Sequence, residues 1–293
     1  MDDLILALET SSEHGSVALG RNGALRAERT LPADRRHTGQ LLPTIQALLA
    51  AEGVAPADVA AVAFSRGPGS FTGLRVAATI ARLWHAATGA PVFLYSRAGY
   101  GRSSPQPLPW PATYMHREAL EVLPKVLGAA AIGACVLVGH SDGGSIALIH
   151  AGGAPHAGLR GIVTMAAHVF NEKVCVDSIA QARVAYETAD LRDRLMRHHG
   201  ANVDNAFRGW NDVWLSAAFQ RWNIEAYLPR IAVPLLALQG VDDEYGSEAQ
   251  VDAIVRQAGG PAEKLMLPNC RHAPHRDQPQ MVLAALARFL GRL

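Results

Sequence analysis

The sequence predicts an α/β fold in which a mostly parallel sheet carries helices on both faces. Short buried apolar runs alternate with helical segments over residues 135–290, and this alternation is typical of βαβ units. The 293 residues are 49% hydrophobic and 18% charged, which is enough apolar material for one large domain or two modest ones.

The first 91 residues carry strand and turn signals before the first helix. The Asn22-Gly23 dipeptide between two alternating segments favours a hairpin. Leucines at 3.6-residue spacing predict a helix that ends at Gly53. The predicted strands here are Leu4–Leu8, Gly15–Gly20, Ala24–Leu31 and Val59–Ser65, and the predicted helices are Gly39–Glu52 and Thr72–Ala87.

The rest of the chain repeats a strand and helix pattern, interrupted by a helical stretch. About residues 170–230 show helical periodicity without a strand and hold a large share of the aromatic residues. Two readings stay open for these aromatics: they pack on the sheet, or they form a lid that walls an apolar pocket, and both can hold together. The predicted strands are Val92–Tyr95, Cys135–Gly139, Gly161–Ala166, Leu235–Gly240 and Lys264–Leu267, and the predicted helices are Gly143–His150, Ser247–Gln257 and Gln280–Leu290.

Charge and cysteine content argue against several classes of protein. Lys and Arg number 27 against 26 Asp and Glu, a formal net charge of +1 that does not favour direct nucleic-acid binding. Cys135, Cys175 and Cys270 are widely spaced and form no C-x-x-C pair, which suggests neither a disulfide framework nor a thiolate metal site. No apolar run approaches the roughly 20 residues of a membrane helix. We therefore expect a cytoplasmic protein with no metal and no membrane association.

The strongest local signal is Gly139-His140-Ser141-Asp142-Gly143, which follows a buried strand and opens a helix. A G-x-S-x-G motif alone arises often by chance in a glycine-rich chain. Its strand–turn–helix context predicts a nucleophile elbow, in which glycines allow a strained turn that presents a serine hydroxyl at a helix N-terminus.

Candidate partners for this serine follow later strands. An activated serine needs a base, and the base needs an acid that orients it. The strand at 235–239 runs into Gly240 and the pair Asp242-Asp243, and the strand at 264–267 runs into a loop with His272. The order serine, acid, histidine, each after a strand, favours a catalytic arrangement over a capping Asp and a solvated His.

Three segments of the chain resemble the α/β-hydrolase superfamily, and the resemblance extends from about Leu83 to Leu293. The segments are Tyr95-Ser96-Arg97-Ala98-Gly99-Tyr100-Gly101-Arg102-Ser103, the Gly-His-Ser-Asp-Gly-Gly turn at 139–144, and His272-Ala273-Pro274-His275-Arg276-Asp277-Gln278-Pro279. The resemblance implies Ser141 as nucleophile, His272 as base and Asp243 as acid, because the family's acid stands three residues after the glycine that ends its strand. Asp242 is a substitute acid, and His275 is expected to be structural or pocket-lining.

Residues 4–91 resemble a different family, the N-terminal lobe of TsaB. The resemblance rests on Leu6-Ala7-Leu8-Glu9-Thr10-Ser11, on His37 before a Leu-Leu-Pro helix start, and on Arg66-Gly67-Pro68-Gly69-Ser70-Phe71-Thr72-Gly73-Leu74-Arg75. TsaB is the non-catalytic dimerisation subunit of the machinery that makes N6-threonylcarbamoyladenosine on tRNA, and its fold is of the actin and sugar-kinase ATPase type. The resemblance implies docking of a TsaD-type protein partner through residues 1–91. Because no second lobe follows, we expect no nucleotide site and no cofactor.

Together these observations predict a TsaB-like βββαβα unit at 1–91 in place of the first hydrolase strands, and a hydrolase segment with a helical lid at 92–293. We favour one continuous sheet, joined at equivalent elements, over the simpler alternative of two separately folded pieces, because no linker is evident near 83–92. The oxyanion N–H donors would be that of Asp142 and one from Gly67, Gly69 or Ser70, since hydrolases of this type take their second donor from a loop in that place. The function expected is hydrolysis of a small ester or related acyl substrate; the alternative is a non-catalytic TsaB-like subunit.

Overall fold

A computed structural model describes residues 4–9, 16–21, 24–30, 44, 47–54, 59–64 and 93–293. The chain divides between Leu94 and Tyr95 into two compact units. The boundary expected from the sequence lies three residues earlier. Each unit is described by itself below.

The first unit holds a four-stranded sheet in the order β3-β2-β1-β4. Its strands are β1 (Leu4–Glu9), β2 (Ser16–Arg21), β3 (Ala24–Thr30) and β4 (Val59–Phe64). β2 is antiparallel to β1 and to β3, and β4 is parallel to β1. The register pairs Arg21 with Ala24, so the predicted hairpin is confirmed, although Asn22 and Gly23 themselves lie outside the described residues.

Residues 47–51 are helical, and the predicted helix end at Gly53 is confirmed. Gly53 has φ +63°, a left-handed conformation that glycine adopts at low cost. The Val54 N–H donates to the Leu49 carbonyl at 2.9 Å, and the Gly53 N–H donates to the Ala50 carbonyl at 3.2 Å. This pair of bonds is the Schellman arrangement that satisfies the last carbonyls of a helix.

The second unit is built on a four-stranded, fully parallel sheet in the order β5-β6-β7-β8. All six residues of β7 are buried, as are all but one of β6, which is why these strands read as continuous apolar runs. The predicted α/β class is thus confirmed. The strands are β5 (Cys135–His140), β6 (Leu159–Met165), β7 (Leu235–Gly240) and β8 (Ala262–Leu267).

Residues 93–293 contain nine α-helices. They are α1 (Tyr114–Arg117), α2 (Leu123–Ala129), α3 (Asp142–Gly153), α4 (Lys173–Thr188), α5 (Leu191–His199), α6 (Val203–Trp214), α7 (Glu248–Gln257), α8 (Pro274–Asp277) and α9 (Pro279–Leu290). A π-helical segment, Glu118–Val122, joins α1 to α2. Short 3-10 segments lie at Gly200–Asn202, Phe219–Arg221 and Glu225–Arg230.

The stretch predicted as helical at 170–230 contains α4, α5 and α6 and no strand beyond one isolated bridge between Phe170 and Asn223. Its aromatics pack on one another: Phe219 stacks on Trp222 with centroids 5.0 Å apart, and Trp214 lies 4.7 Å from Phe219. These side chains belong to the main core of the unit. The prediction that these aromatics pack in the core is confirmed. The alternative, that this segment also forms a lid over a pocket, stays a prediction.

Two expectations fail in the described residues, and one helical run was not expected. The predicted strand Val92–Tyr95 is not found in its described part, since residues 93–97 have no regular secondary structure. The described strands do not form one continuous sheet, since β1–β4 and β5–β8 share no paired strands. The helical run from Tyr114 to Ala129 was not predicted. The predicted helix Thr72–Ala87 lies outside the described residues.

Candidate active site

Ser141 lies in a tight turn between β5 and α3. Its backbone has φ 52° and ψ −124°, and such a conformation costs a residue other than glycine roughly 1–3 kcal/mol. Backbone hydrogen bonds hold the turn: the Ser141 N–H donates to the Met165 carbonyl at 2.9 Å, and the Ser141 carbonyl accepts from the Gly144 N–H at 2.8 Å. The serine is thereby fixed at the carboxyl end of β5, next to the end of β6.

His272 connects this serine to an acid. Its Nε2 lies 3.0 Å from Ser141 Oγ, and its Nδ1 lies 2.9 Å from Asp243 Oδ1. A carboxylate only accepts, so Nδ1 carries the proton of the neutral ring and Nε2 is left free to accept from the serine hydroxyl. The structure therefore brings Ser141, His272 and Asp243 together in the order that proton removal from serine requires.

Of the two aspartates after β7, Asp243 is the one that contacts His272. Its side chain is 1% exposed, whereas Asp242 is exposed. Burial alone would raise the pKa of Asp243, but the hydrogen bond and charge of His272 and the Tyr245 N–H, which donates to Oδ1 at 2.9 Å, outweigh burial and lower it. Asp243 is accordingly ionised at neutral pH.

The loop that carries His272 is held at three points. The His272 N–H donates to Glu244 Oε2 at 3.2 Å, and the preceding Arg271 N–H donates to Asp277 Oδ2 at 3.0 Å. The His272 carbonyl accepts from His140 Nε2 at 2.7 Å. Because His140 directly precedes Ser141, this last bond ties the histidine loop to the serine turn.

Three further histidines surround His272, and all of them are held neutral. Burial lowers the pKa of His140 to about 3 and that of His275 to about 4, with additional repulsion from neighbouring charges. Burial also lowers the pKa of His168, whose Nε2 donates to the Tyr245 carbonyl at 3.0 Å. His275 packs edge-on against His140, with ring centroids 4.8 Å apart. These residues wall the site and do not carry positive charge near pH 7.

Asp142 begins helix α3, directly after Ser141. The first N–H groups of a helix have no partner within the helix, so the Asp142 N–H is available to a developing negative charge. The Asp142 side chain makes separate contacts: its Oδ2 accepts a hydrogen bond from the Tyr114 hydroxyl at 2.7 Å and lies 3.4 Å from Arg97 Nη2. The second predicted donors, Gly67, Gly69 and Ser70, lie outside the described residues, so that expectation stays a prediction.

Sequence reasoning missed Tyr114 and Trp214 as neighbours of the site. Trp214 Nε1 donates to the Tyr114 hydroxyl at 3.0 Å across 100 residues of chain. Arg97 belongs to the 95–103 segment that resembles the α/β hydrolases, but the sequence pattern did not indicate that its side chain would contact Asp142. In the described part of the chain, no group of three or more His, Cys, Asp or Glu residues could hold a metal ion. Nor is any helix there long and apolar enough to span a bilayer.

Comparison with known sequences concerns the N-terminal part of the chain. Residues 31–95 match the family model of TsaD, tRNA N6-adenosine threonylcarbamoyltransferase. The tRNA threonylcarbamoyladenosine biosynthesis protein TsaB of Escherichia coli is 44% identical over 78 residues, and that of Haemophilus influenzae is 50% identical over 78 residues. Each match covers 27% of this chain and 33% of the relative. The chain thus spans about a third of the length of the curated relatives it matches.

Comparison with solved structures concerns a larger part of the chain. NosK from Streptomyces actuosus superposes with a TM-score of 0.58 at 20% identity, covering 74% of this chain and 91% of that chain. A serine hydrolase involved in carbazole degradation, CarC, gives 0.52 at 16% identity over 67% and 77%. MGS-M2, an alpha/beta hydrolase from a deep-sea metagenome library, gives 0.50 at 19% identity over 67% and 78%. The chain therefore combines a short TsaB-like region at its N-terminus with the fold of the α/β hydrolases.

Proposed function

We propose that this chain is a serine hydrolase that acts on a small ester or related acyl compound. The observation that carries the proposal is the unbroken series of contacts from Ser141 Oγ through the two ring nitrogens of His272 to Asp243. The strained backbone of Ser141 and its place at the start of α3 support the same reading. The α/β-hydrolase fold of the chain is consistent with this chemistry.

In the proposed reaction, Ser141 Oγ attacks the acyl carbon while its proton passes to His272 Nε2. The bond to the leaving group then breaks, and the leaving oxygen or nitrogen takes that proton from His272. A water molecule repeats the attack on the acyl-serine, again losing its proton to Nε2, and the acid product leaves with Ser141 restored. Asp243 holds the imidazole in the needed tautomer, and the Asp142 N–H stabilises the oxyanion.

The test is labelling with a fluorophosphonate probe, which reacts with an activated serine. The wild-type chain should be labelled, and Ser141→Ala should lose both labelling and hydrolysis of an activated short-chain ester, by about 10⁴-fold or more in rate. Ser104→Ala, an exposed serine in the same unit, is the matched control and should be labelled like wild type. An unlabelled wild-type chain, or equal turnover by wild type and Ser141→Ala, would contradict the proposal.

A second candidate function concerns the N-terminal region. The 44% identity with TsaB over 78 residues favours a partner-docking role, in which residues 1–91 bind a TsaD-type protein and the chain acts without catalysis there. In a pull-down at micromolar concentrations, the full chain should retain a purified threonylcarbamoyltransferase of this type. Excess untagged TsaB should displace the chain, and absence of retention would dispose of this function.

A further inference from the structure

A buried chain of hydrogen bonds leads from helix α6 to the residue that follows Ser141. Trp214 Nε1–H donates to the Tyr114 hydroxyl at 3.0 Å, and that hydroxyl donates to Asp142 Oδ2 at 2.7 Å. Tyr114 is 3% exposed and Trp214 is 1% exposed. A phenol can accept one hydrogen bond and donate another at once, so the direction of the chain is fixed from the tryptophan to the carboxylate.

The tyrosine keeps its proton in this place. Burial, followed by the negative charge of Asp142, raises the pKa of Tyr114 well above its ordinary value. Tyr114 is therefore a hydrogen-bond donor at every pH at which an ester hydrolase is assayed. Hydrogen bonds to a charged acceptor in a buried setting are roughly twice as strong as neutral ones.

Arg97 approaches the same carboxylate oxygen from another segment, at 3.4 Å, with its guanidinium 4.7 Å from the centre of the Tyr100 ring. Asp142 Oδ2 is thus held by two donors that come from different parts of the chain. The Asp142 side chain shares its Cα with the backbone N–H that faces the oxyanion in the proposed mechanism. Holding the carboxylate restrains the Cα of Asp142, to which the nitrogen of that N–H is bonded, and so limits backbone movement at this position.

Trp214 also reaches the other side of the site. Its ring packs edge-on against His168, with centroids 5.1 Å apart, and the His168 backbone exchanges hydrogen bonds with the Ser145 hydroxyl of α3 at 2.6 and 3.2 Å. The end of α6 therefore contacts two of the groups that locate α3. A displaced α6 would change both the support of Asp142 and the packing at His168.

We infer that Tyr114 is a positioning residue for the hydrolysis, one that aligns the oxyanion-binding N–H of Asp142 by holding its carboxylate, with Trp214 of α6 locking Tyr114 in place. The inference rests on the proposed function, because it assigns a task within the same site. Loss of an oxyanion donor costs about 10²–10³-fold in turnover, and a misaligned donor should cost somewhat less. The expected loss on removing the Tyr114 hydroxyl is about 10- to 100-fold.

The experiment compares Tyr114→Phe with wild type, using hydrolysis of a p-nitrophenyl ester. Active sites are first counted by fluorophosphonate titration, so that unfolded or inactive chains do not enter the rate. We expect kcat per titrated site to fall about 10- to 100-fold with little change in KM, as for an interaction made in the transition state. Tyr186→Phe is the matched control, since its hydroxyl donates to Asp204 Oδ1 at the same 2.7 Å within the separate cluster around Phe207.

A double-mutant cycle makes the test specific to the Tyr114–Asp142 contact. If Tyr114 acts through the Asp142 side chain, then Tyr114→Phe added to Asp142→Ala should lower kcat by less than about two-fold further. A wild-type chain that the probe labels, together with Tyr114→Phe turnover within about two-fold of wild type, would overturn the positioning role alone. Failure of the probe to label wild type would instead contradict the proposed function. Additive losses in the double variant would likewise overturn the positioning role.

Discussion

Gly139 and Gly143 face each other across the turn that carries Ser141, with no room between them for a side chain at position 139. A Cβ added to Gly139 would overlap the carbonyl oxygen of Gly143 and lie 2.5 Å from the amide nitrogen of Gly144. These neighbours are backbone atoms, which cannot swing aside as a flexible side chain can. A Cβ added to Gly143, in contrast, would meet nothing within 4 Å. The two glycines therefore serve different purposes: Gly139 permits the turn, and Gly143 lies in the first turn of helix α3.

This asymmetry predicts opposite outcomes for two substitutions in one motif. Gly139→Ala should force the turn open, lowering the free energy of unfolding by about 1–3 kcal/mol and slowing fluorophosphonate labelling by about 10²-fold as Ser141 moves from His272. Gly143→Ala should leave labelling close to that of wild type and gain up to about 1 kcal/mol of helix stability. Urea denaturation and labelling rates measure both effects. Equal sensitivity of the two positions would contradict the steric account.

The identification of Asp243 as the acid predicts that substitutions of the two aspartates after β7 differ strongly in their effect on turnover. Asp243→Asn removes the carboxylate that fixes the His272 tautomer, and turnover should fall by about 10³- to 10⁴-fold with the fold intact. Asp242→Asn changes an exposed side chain and should have a mild effect. Ester hydrolysis per folded chain checks the ranking. A larger loss from Asp242→Asn would mean that the acid had been wrongly identified.

Substitution of the buried Gln250 is expected to lower stability, although this residue does not contact the Ser141, His272 and Asp243 side chains. Gln250 is fully buried; its Oε1 accepts from the Val169 N–H at 2.8 Å, and its Nε2 donates to Glu172 Oε2 at 2.6 Å. Gln250→Leu leaves the Val169 N–H without an acceptor, whereas Glu172 keeps its hydrogen bonds from Ser247. The free energy of unfolding should therefore fall by about 1–3 kcal/mol. Gln280→Leu, on an exposed face of α9, is the control and should stay within about 0.5 kcal/mol of wild type. Similar denaturation midpoints for both variants would count against this role.

The sequence was informative where local pattern decides structure. β6 and β7 were found because buried strands read as continuous apolar runs. β5 and β8 were found from similar short apolar runs, although both are only partly buried. Ser141, Asp243 and His272 were found because strand ends at one edge of a parallel sheet bring loop residues together. The resemblance to the α/β hydrolases, in which the acid stands three residues after the strand-ending glycine, favoured Asp243 over Asp242, and the structure places Asp243 beside His272.

Other features depend on contacts that no local pattern records. The helical run at 114–129 was not predicted, and its Tyr114 contacts residues that lie 28 and 100 positions away in the chain. The run at 92–95 has strand composition, but residues 93–95 are irregular in the structure, since β-propensity depends strongly on tertiary context. The short Asp142 carboxylate gave no sign that it would face Tyr114 and Arg97 instead of solvent.

The buried histidines around the site predict how stability depends on pH. Burial, with repulsion from Arg276, lowers the pKa of His275 to about 4 in the folded chain, against about 6.5 when unfolded. Between those values the unfolded chain binds a proton that the folded chain does not. The free energy of unfolding therefore falls as pH drops from about 6.5 to 4, by up to about 1.4 kcal/mol per pH unit for this residue.

His275→Gln removes that proton-linked penalty, so its melting temperature should decline less steeply than that of wild type between pH 6.5 and 4. Part of the slope should remain, because the pKa of His140, lowered to about 3, acts in the same direction and extends the effect to lower pH. Above pH 7.5 both chains hold a neutral ring or amide at this position, and the difference between their melting temperatures should there be constant. Melting curves at half-unit pH steps measure the slope, and parallel curves for wild type and His275→Gln through the acid range would contradict a buried, neutral His275.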